Sequence, residues 1–275
     1  MFLLKIHWEP STTLINFGNF GIHYYSLMFV LAFFLGFSIM KKMYIKEKVS
    51  IETLEPLLFH VVVATLLGAR LGHVFFYDWA YYQTHLMEIL LPIRESADGG
   101  YSFIGFQGLA SHGAAIGILI GIIIYQKRYN YKPLLWIVDR LVIPTTLGAA
   151  FVRVGNFFNS EIVGNYTGNN FGVVFLNRGE TLPRHPAQLY EAICYLILFF
   201  VLRNIYRKGN HHKNGFIMGV FMSVLFSIRF IIEFVKESQG GFETFLPILS
   251  TGQWLSIPLI LAGLILMLRT YSARV

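Results

Sequence analysis

The sequence predicts an all-α polytopic membrane protein. It should have seven transmembrane helices, its N-terminus out and C-terminus in, and a small extracytoplasmic head. Three observations point there. Of 275 residues, 55% are apolar and only 13% charged, against roughly 25% charged in a soluble domain. The apolar residues come in blocks of bilayer length. The basic residues sort by loop.

Spans of roughly 17 to 25 residues are expected, in order, at about 25–41, 56–77, 112–126, 134–158, 187–203, 215–236 and 252–268. The third is short. The sixth carries Arg229 and Glu233, so it must face protein or water rather than lipid. The segments left outside are about 1–24, 78–111, 159–186 and 237–251. Residues 1–24 are expected along the outer surface. Residues 78–111 include an acidic, glycine-rich stretch at 95–100. Residues 159–186 are rich in Asn and Gly, with a strand-like run at 171–175, and should form the head. All of 1–275 reads as one membrane-embedded domain.

Orientation follows from charge. The loops at 41–48, 127–132, 203–213 and 269–274 hold thirteen Lys and Arg, and the other set holds only Lys5, Arg94, Arg178 and Arg184. By the positive-inside rule the first set is cytoplasmic. The net charge of +7 is mostly this signal, so no nucleic-acid partner is expected. His211 and His212 fall in a basic cytoplasmic loop and read as solvated.

Cys194 is the lone cysteine. It excludes an internal disulfide and a zinc spacing, and it reads as a small core residue. The N-terminus does not look like a cleaved signal peptide: Lys5 stands alone, Glu9-Pro10 interrupts the run, and no small-residue cleavage site follows.

The most informative stretch is Arg153-Val154-Gly155-Asn156-Phe157-Phe158-Asn159-Ser160-Glu161, polar groups ending an apolar span. Such groups are costly in lipid and mark function. At about 1.5 Å of rise per residue, Arg70, His112, Arg153, Arg229, Glu233 and Tyr25 all fall toward the outer side. Glu191 and His185 flank the start of the fifth span there. Arginine offers a planar donor fork that suits a phosphate, and at that depth the natural anion is a phospholipid headgroup. Other roles stay open. Arg229 and Glu233, four apart, can neutralise each other. Arg70 can pair with a carboxylate and hold helices together. Asn156 and Asn159 can join helices by hydrogen bonds. Tyr25 can be an interfacial anchor. Asp139-Arg140, toward the cytoplasmic side, reads as a structural or snorkelling pair. Arg70-Leu71-Gly72-His73 also resembles Arg153-Val154-Gly155-Asn156, a similarity too short to define a repeat.

Several motifs now form a pattern: His23-Tyr24-Tyr25-Ser26-Leu27-Met28, Gly68-Ala69-Arg70-Leu71-Gly72, Ser111-His112-Gly113, the 153–164 stretch, Arg184-His185-Pro186-Ala187-Gln188-Leu189-Tyr190-Glu191 and Arg229-Phe230-Ile231-Ile232-Glu233-Phe234. The chain resembles, over nearly its whole length, the bacterial prolipoprotein diacylglyceryl transferase family. The resemblance implies a multi-pass protein of the cytoplasmic (inner) membrane. It implies transfer of the diacylglyceryl group of phosphatidylglycerol to the lipobox cysteine of a prolipoprotein, giving a thioether and glycerol 1-phosphate. Besides these two substrates, its partners would be membrane lipids; no cofactor is implied.

By position, the resemblance makes Arg153 the phosphatidylglycerol-binding arginine and His112 the proposed catalytic histidine. It marks Tyr25, Asn156, Glu161, Gly164, Arg229 and Glu233 as important. Asn159 and Arg70 join the expected substrate-binding set on their place in the motifs. Two positions depart: Val152 stands where glycine is common before the arginine, and Leu225 where some members have tyrosine.

The implied chemistry needs a thiolate, and a free cysteine of pKa about 8.5 is mostly thiol at pH 7. His112, with an ordinary pKa of about 6.5, is the candidate base. Arg153 and Arg229 would stabilise the departing phosphate. Glu233 would orient Arg229, and Glu161 would touch the headgroup glycerol or hold Arg153. No metal spacing is present, and none is expected. A membrane transporter would spread ionisable groups over many depths, and a retinal pump would need a mid-span lysine. An intramembrane protease would need a serine motif absent here. A non-catalytic lipid-binding protein is the remaining alternative.

Overall fold

The computed structural model describes residues 5–17, 20–96, 99–103, 108–209, 213–238 and 248–272. His211 and His212 lie outside the described residues. The chain clusters into two compact units, one of 1–43 with 138–275 and one of 44–137.

Six helices among the described residues are long and apolar enough to cross a membrane. These are α1 Tyr24–Lys46, α2 Leu54–Phe76, α6 Leu134–Phe158, α7 Ala187–Arg207, α8 Phe216–Ile232 and α9 Thr251–Ser272, with the second and fifth of these spans extended by 3-10 turns at Ile51–Thr53 and Glu233–Val235. The expected third span forms a helix, α5 Ser111–Tyr129, but does not reach the same apolarity. Its first turn holds Ser111-His112-Gly113 and its last Gln126-Lys127-Arg128, which dilute the apolar stretch between.

The chain is mostly helical, with three small sheets among the described residues. In the first unit β1 Lys5–Trp8 pairs in parallel with β6 Gly172–Phe175, setting Lys5 against Gly172 and Trp8 against Phe175. Residues 5–8 are thus built into the head instead of simply lying along the surface. The reason is apolar. Phe157, Val163, Val173 and Phe175 form a buried cluster that Trp8 and Leu189 cover, and the Trp8 indole N–H donates to Phe157 O at 3.1 Å. The strands β2 Thr13–Phe17 and β3 Phe20–His23 form a hairpin that leads into α1.

Asp139 has a structural role, as its place in the sequence suggested. Its buried carboxylate on α6 accepts the N–H groups of Gly215 and Met218, each at 2.7 Å. It thereby satisfies amides that the first turn of α8 would leave unpaired.

The second unit is built on α2 and α5. A Cβ on Gly68 would sit 2.4 Å from Gly113 O, and one on Gly113 would sit 2.3 Å from Gly68 O. Only glycine permits this backbone contact, the small-residue packing of membrane helices. Between them run α3 Trp79–Tyr82, α4 Met87–Leu90, and the antiparallel pair β4 Ile93–Glu95 and β5 Tyr101–Phe103.

Candidate functional site

In the first unit the residues of the 153–161 stretch bond to one another. Arg153 Nη1 donates to Asn156 Oδ1 at 3.1 Å. Asn156 Nδ2 donates to Glu161 Oε1 at 2.7 Å, and Asn159 Nδ2 reaches the same oxygen at 3.3 Å. Tyr25 stands at the start of α1. Gly155 packs on the Tyr25 ring so closely that a Cβ would come within 2.8 Å of it. The helix spacing explains part of this: Arg153 and Asn156, three apart, share a face.

After α6 the chain makes an unusual turn. Ser160 and Ile162 both adopt left-handed conformations, at φ 54° and 57°. A β-branched residue there is a genuine outlier. Such local cost persists only where its surroundings fix it, and it often accompanies function. Here it brackets Glu161. Gln188 on α7 holds the turn by donating to Glu161 O at 2.6 Å.

Arg153 also faces α7. Its Nε lies 2.6 Å from Glu191 Oε2, with the Glu191 side chain 1% exposed, and buried Tyr195 stands one turn further along α7. Glu191 was noticed by depth but not assigned a role from the sequence; Tyr195 was missed. The available signal was their spacing of four on one helix face. Glu191 Oε1 in turn lies 3.4 Å from Lys236 Nζ, which is 3.5 Å from Glu233 Oε2. Glu233 therefore pairs with Lys236. Among the described residues Arg229, half-buried, has no ion pair or hydrogen bond, so the suggested neutralisation of Arg229 by Glu233 is not observed.

Gly164 is where the head meets the end of α8. It bridges Lys236 in antiparallel fashion, with Asn165 N–H donating to Val235 O at 2.8 Å and Glu237 N–H to Val163 O at 3.1 Å. A Cβ on Gly164 would sit 2.6 Å from His185 Cβ, His185 O and Val235 O. Arg184 locks the crossing. It donates to Gly164 O at 3.1 Å, pairs with Glu180 and with Glu237 at 3.1 Å, and lies 4.0 Å over the Tyr166 ring. Burial works against the Arg184 charge, but the Glu180 and Glu237 carboxylates outweigh it and raise its pKa.

The family model described as prolipoprotein diacylglyceryl transferase matches residues 12–269. Among curated relatives, a Bacteroides fragilis protein is 40% identical over 270 residues, covering 96% of this chain and 95% of its own. One from Tolumonas auensis is 41% identical over 263 residues, covering 96% of each. One from Chloroherpeton thalassium is 37% identical over 266 residues, covering 96% and 94%. All three are named phosphatidylglycerol–prolipoprotein diacylglyceryl transferase.

The chain belongs to the prolipoprotein diacylglyceryl transferase family.

Two of the expected site residues fall in the second unit. His112 stands in the first turn of α5 with an exposed side chain, its ring 5.9 Å from that of Phe76 and 5.5 Å from that of Tyr77. Arg70 is buried on α2. It donates through Nε to Ile89 O at 3.0 Å and through Nη2 to Glu88 O, and lies 4.8 Å from the Tyr82 ring centre. Those contacts point to the second reading of Arg70, a fastening for the outer segment, made in part through backbone carbonyls. Glu88 completes the fastening by accepting from Tyr81 Oη and from Glu95 N–H, each at 2.8 Å. His85, Glu88 and Glu95 bring three potential metal-ligand atoms within 4.8 Å of one another. Both Glu88 oxygens already accept protein donors, so the group reads as part of this fastening.

Proposed function

We propose that this transferase moves the diacylglyceryl group of phosphatidylglycerol to the lipobox cysteine of a prolipoprotein. The observation that carries the reading, in a chain of this family, is Arg153 held on two sides while half-buried Arg229 has no ion partner among the described residues. One fixed guanidinium and one uncommitted guanidinium suit a phosphate that must be bound and then released.

The thiolate sulfur attacks the primary carbon of the diacylglyceryl group. A C–S bond forms, the C–O bond to phosphate breaks, and its electron pair leaves with glycerol 1-phosphate. Arg153 and Arg229 stabilise the charge that collects on that phosphate. Asn156, Asn159, Glu161 and Tyr25 form the polar wall that binds the headgroup, and Gly164 keeps the wall's outer strand crossing closed. Glu233 lies beside the headgroup wall, paired with Lys236. His112 is the candidate acceptor for the thiol proton. The family chemistry requires no cofactor.

The chain works as one membrane-embedded domain in the bacterial cytoplasmic (inner) membrane, among membrane lipids. It spans seven times with the N-terminus out, α5 being the third span. At 19 residues α5 is about 28 Å long, close to the roughly 30 Å hydrocarbon core.

The test is purified protein with labelled phosphatidylglycerol and a lipobox peptide, with and without the peptide cysteine. Label should move only to the cysteine peptide; no transfer with active lipid binding would favour a non-catalytic protein. His112→Gln should lower turnover by about 10²–10⁴-fold, with partial recovery at higher pH. Wild-type turnover in that variant rules out the base role.

A further inference from the structure

Three cations and three carboxylates of the first unit share the site, and their pairing is uneven. Arg153 takes Glu191 at 2.6 Å, and Glu161 accepts two asparagine amides. Lys236, its side chain 5% exposed, lies against both Glu191 at 3.4 Å and Glu233 at 3.5 Å. Arg229 has no ion partner among the described residues.

That outcome is not what helix geometry would give. Arg229 and Glu233 are four apart, the spacing at which opposite charges pair on a helix. Glu233 keeps the helical spacing, its N–H donating to Arg229 O, yet its carboxylate goes to Lys236 instead. α8 ends at Ile232, and Glu233–Val235 form a 3-10 turn. In that turn side chains three apart eclipse, which aligns Glu233 with Lys236. The bridge of Lys236 to Gly164, with the flanking backbone bonds of Val235 and Glu237, fixes the turn in register.

We infer that Lys236 is a positioning residue that holds Glu233 away from Arg229, leaving the Arg229 guanidinium to receive phosphate. The inference rests on the phosphate role proposed above for Arg229. A buried carboxylate seeks a partner. Without Lys236, Glu233 turns to Arg229 and competes with the lipid phosphate, while Glu191 keeps Arg153.

The experiment uses the full-length enzyme in detergent with labelled phosphatidylglycerol and a lipobox peptide, reading kcat and KM separately along with the thermal midpoint. Lys236→Met should lower kcat/KM by about tenfold or more, chiefly through KM for phosphatidylglycerol, the size of one lost charge-assisted contact. Lys236→Arg should recover most of it. The double variant Lys236→Met/Glu233→Gln should also recover most of it, because the competing carboxylate is gone. The double variant removes a cation and an anion together, so it reads the inference even where the single variant unfolds. A folded double variant whose KM stays raised overturns the inference and makes Lys236 a direct phosphate ligand. An unchanged KM in folded Lys236→Met overturns it as well. Arg229→Ala in the same assay separates the two claims: if it transfers normally, the phosphate reading of Arg229 fails, and if it is inactive while the double variant stays defective, only the present inference fails.

Discussion

Arg70 and Arg153 open the same pattern, Arg-x-Gly-x, on two different helices, and their surroundings give them different work. In both, the glycine two residues on allows a close approach, Gly72 to Gly113 and Gly155 to Tyr25. Arg70 then donates to the carbonyls of residues 88 and 89. Arg153 meets a carboxylate and an amide. An arginine bound to fixed carbonyls ties the backbone together. One balanced between a carboxylate and an amide can exchange partners, as the proposed phosphate role requires. The four-residue pattern alone does not say which.

The contrast breaks most visibly by truncation. Arg153→Ala should reduce transfer by at least about 10²-fold, the scale for losing a charge-stabilising donor, a loss larger than the destabilisation from leaving buried Glu191 without its nearest cation explains. Arg70→Ala should act mainly on stability, by about 1–3 kcal/mol for carbonyls left buried without a donor. Thermal denaturation and the transfer assay, run on both variants, read the two effects. If Arg70→Ala abolished transfer in a fully stable protein, the two arginines would not differ in kind.

Gly164→Ala tests how closely the site depends on the head. The added methyl meets backbone on one side and His185 on the other, an overpacking of about 1–3 kcal/mol. The strand crossing that sets Lys236 should loosen, raising KM for phosphatidylglycerol as the midpoint falls. An unaltered enzyme would detach the crossing from the site.

The smallest effect belongs to Glu88. Burial opposes its charge, but the Glu95 amide and the Tyr81 hydroxyl outweigh burial and hold its carboxyl below the ordinary value. Because the folded carboxyl ionises at lower pH than the unfolded one, its stabilisation is full above the unfolded pKa. It is lost as pH falls through the folded value. The thermal midpoint of the second unit should therefore drop below pH of about 4, and Glu88→Gln should flatten that dependence. A pH profile identical in the variant would remove Glu88 from the fastening.

Periodicity and length made the helices legible: the expected 134–158 coincides with α6, and the others start within two residues of their observed positions. What the pattern missed was non-local or a matter of backbone geometry. The parallel pairing of β1 with β6 joins residues more than 160 positions apart. The left-handed turn at Ser160 and Ile162 leaves no mark in residue type, since isoleucine disfavours it. Lys236 looked like a span terminus because helical spacing was extended through Glu233, where the chain tightens into a 3-10 turn.

By itself, then, the sequence determined the membrane class, the helical blocks, the family and the candidate polar residues, because apolar periodicity and rare intramembrane charges are local properties written in residue type. Only the tertiary structure decided the pairing: Arg153 with Glu191, Glu233 with Lys236, Arg70 with backbone carbonyls. Ion pairs depend on distances of a few ångströms between distant segments, and those distances exist only after the backbone has folded.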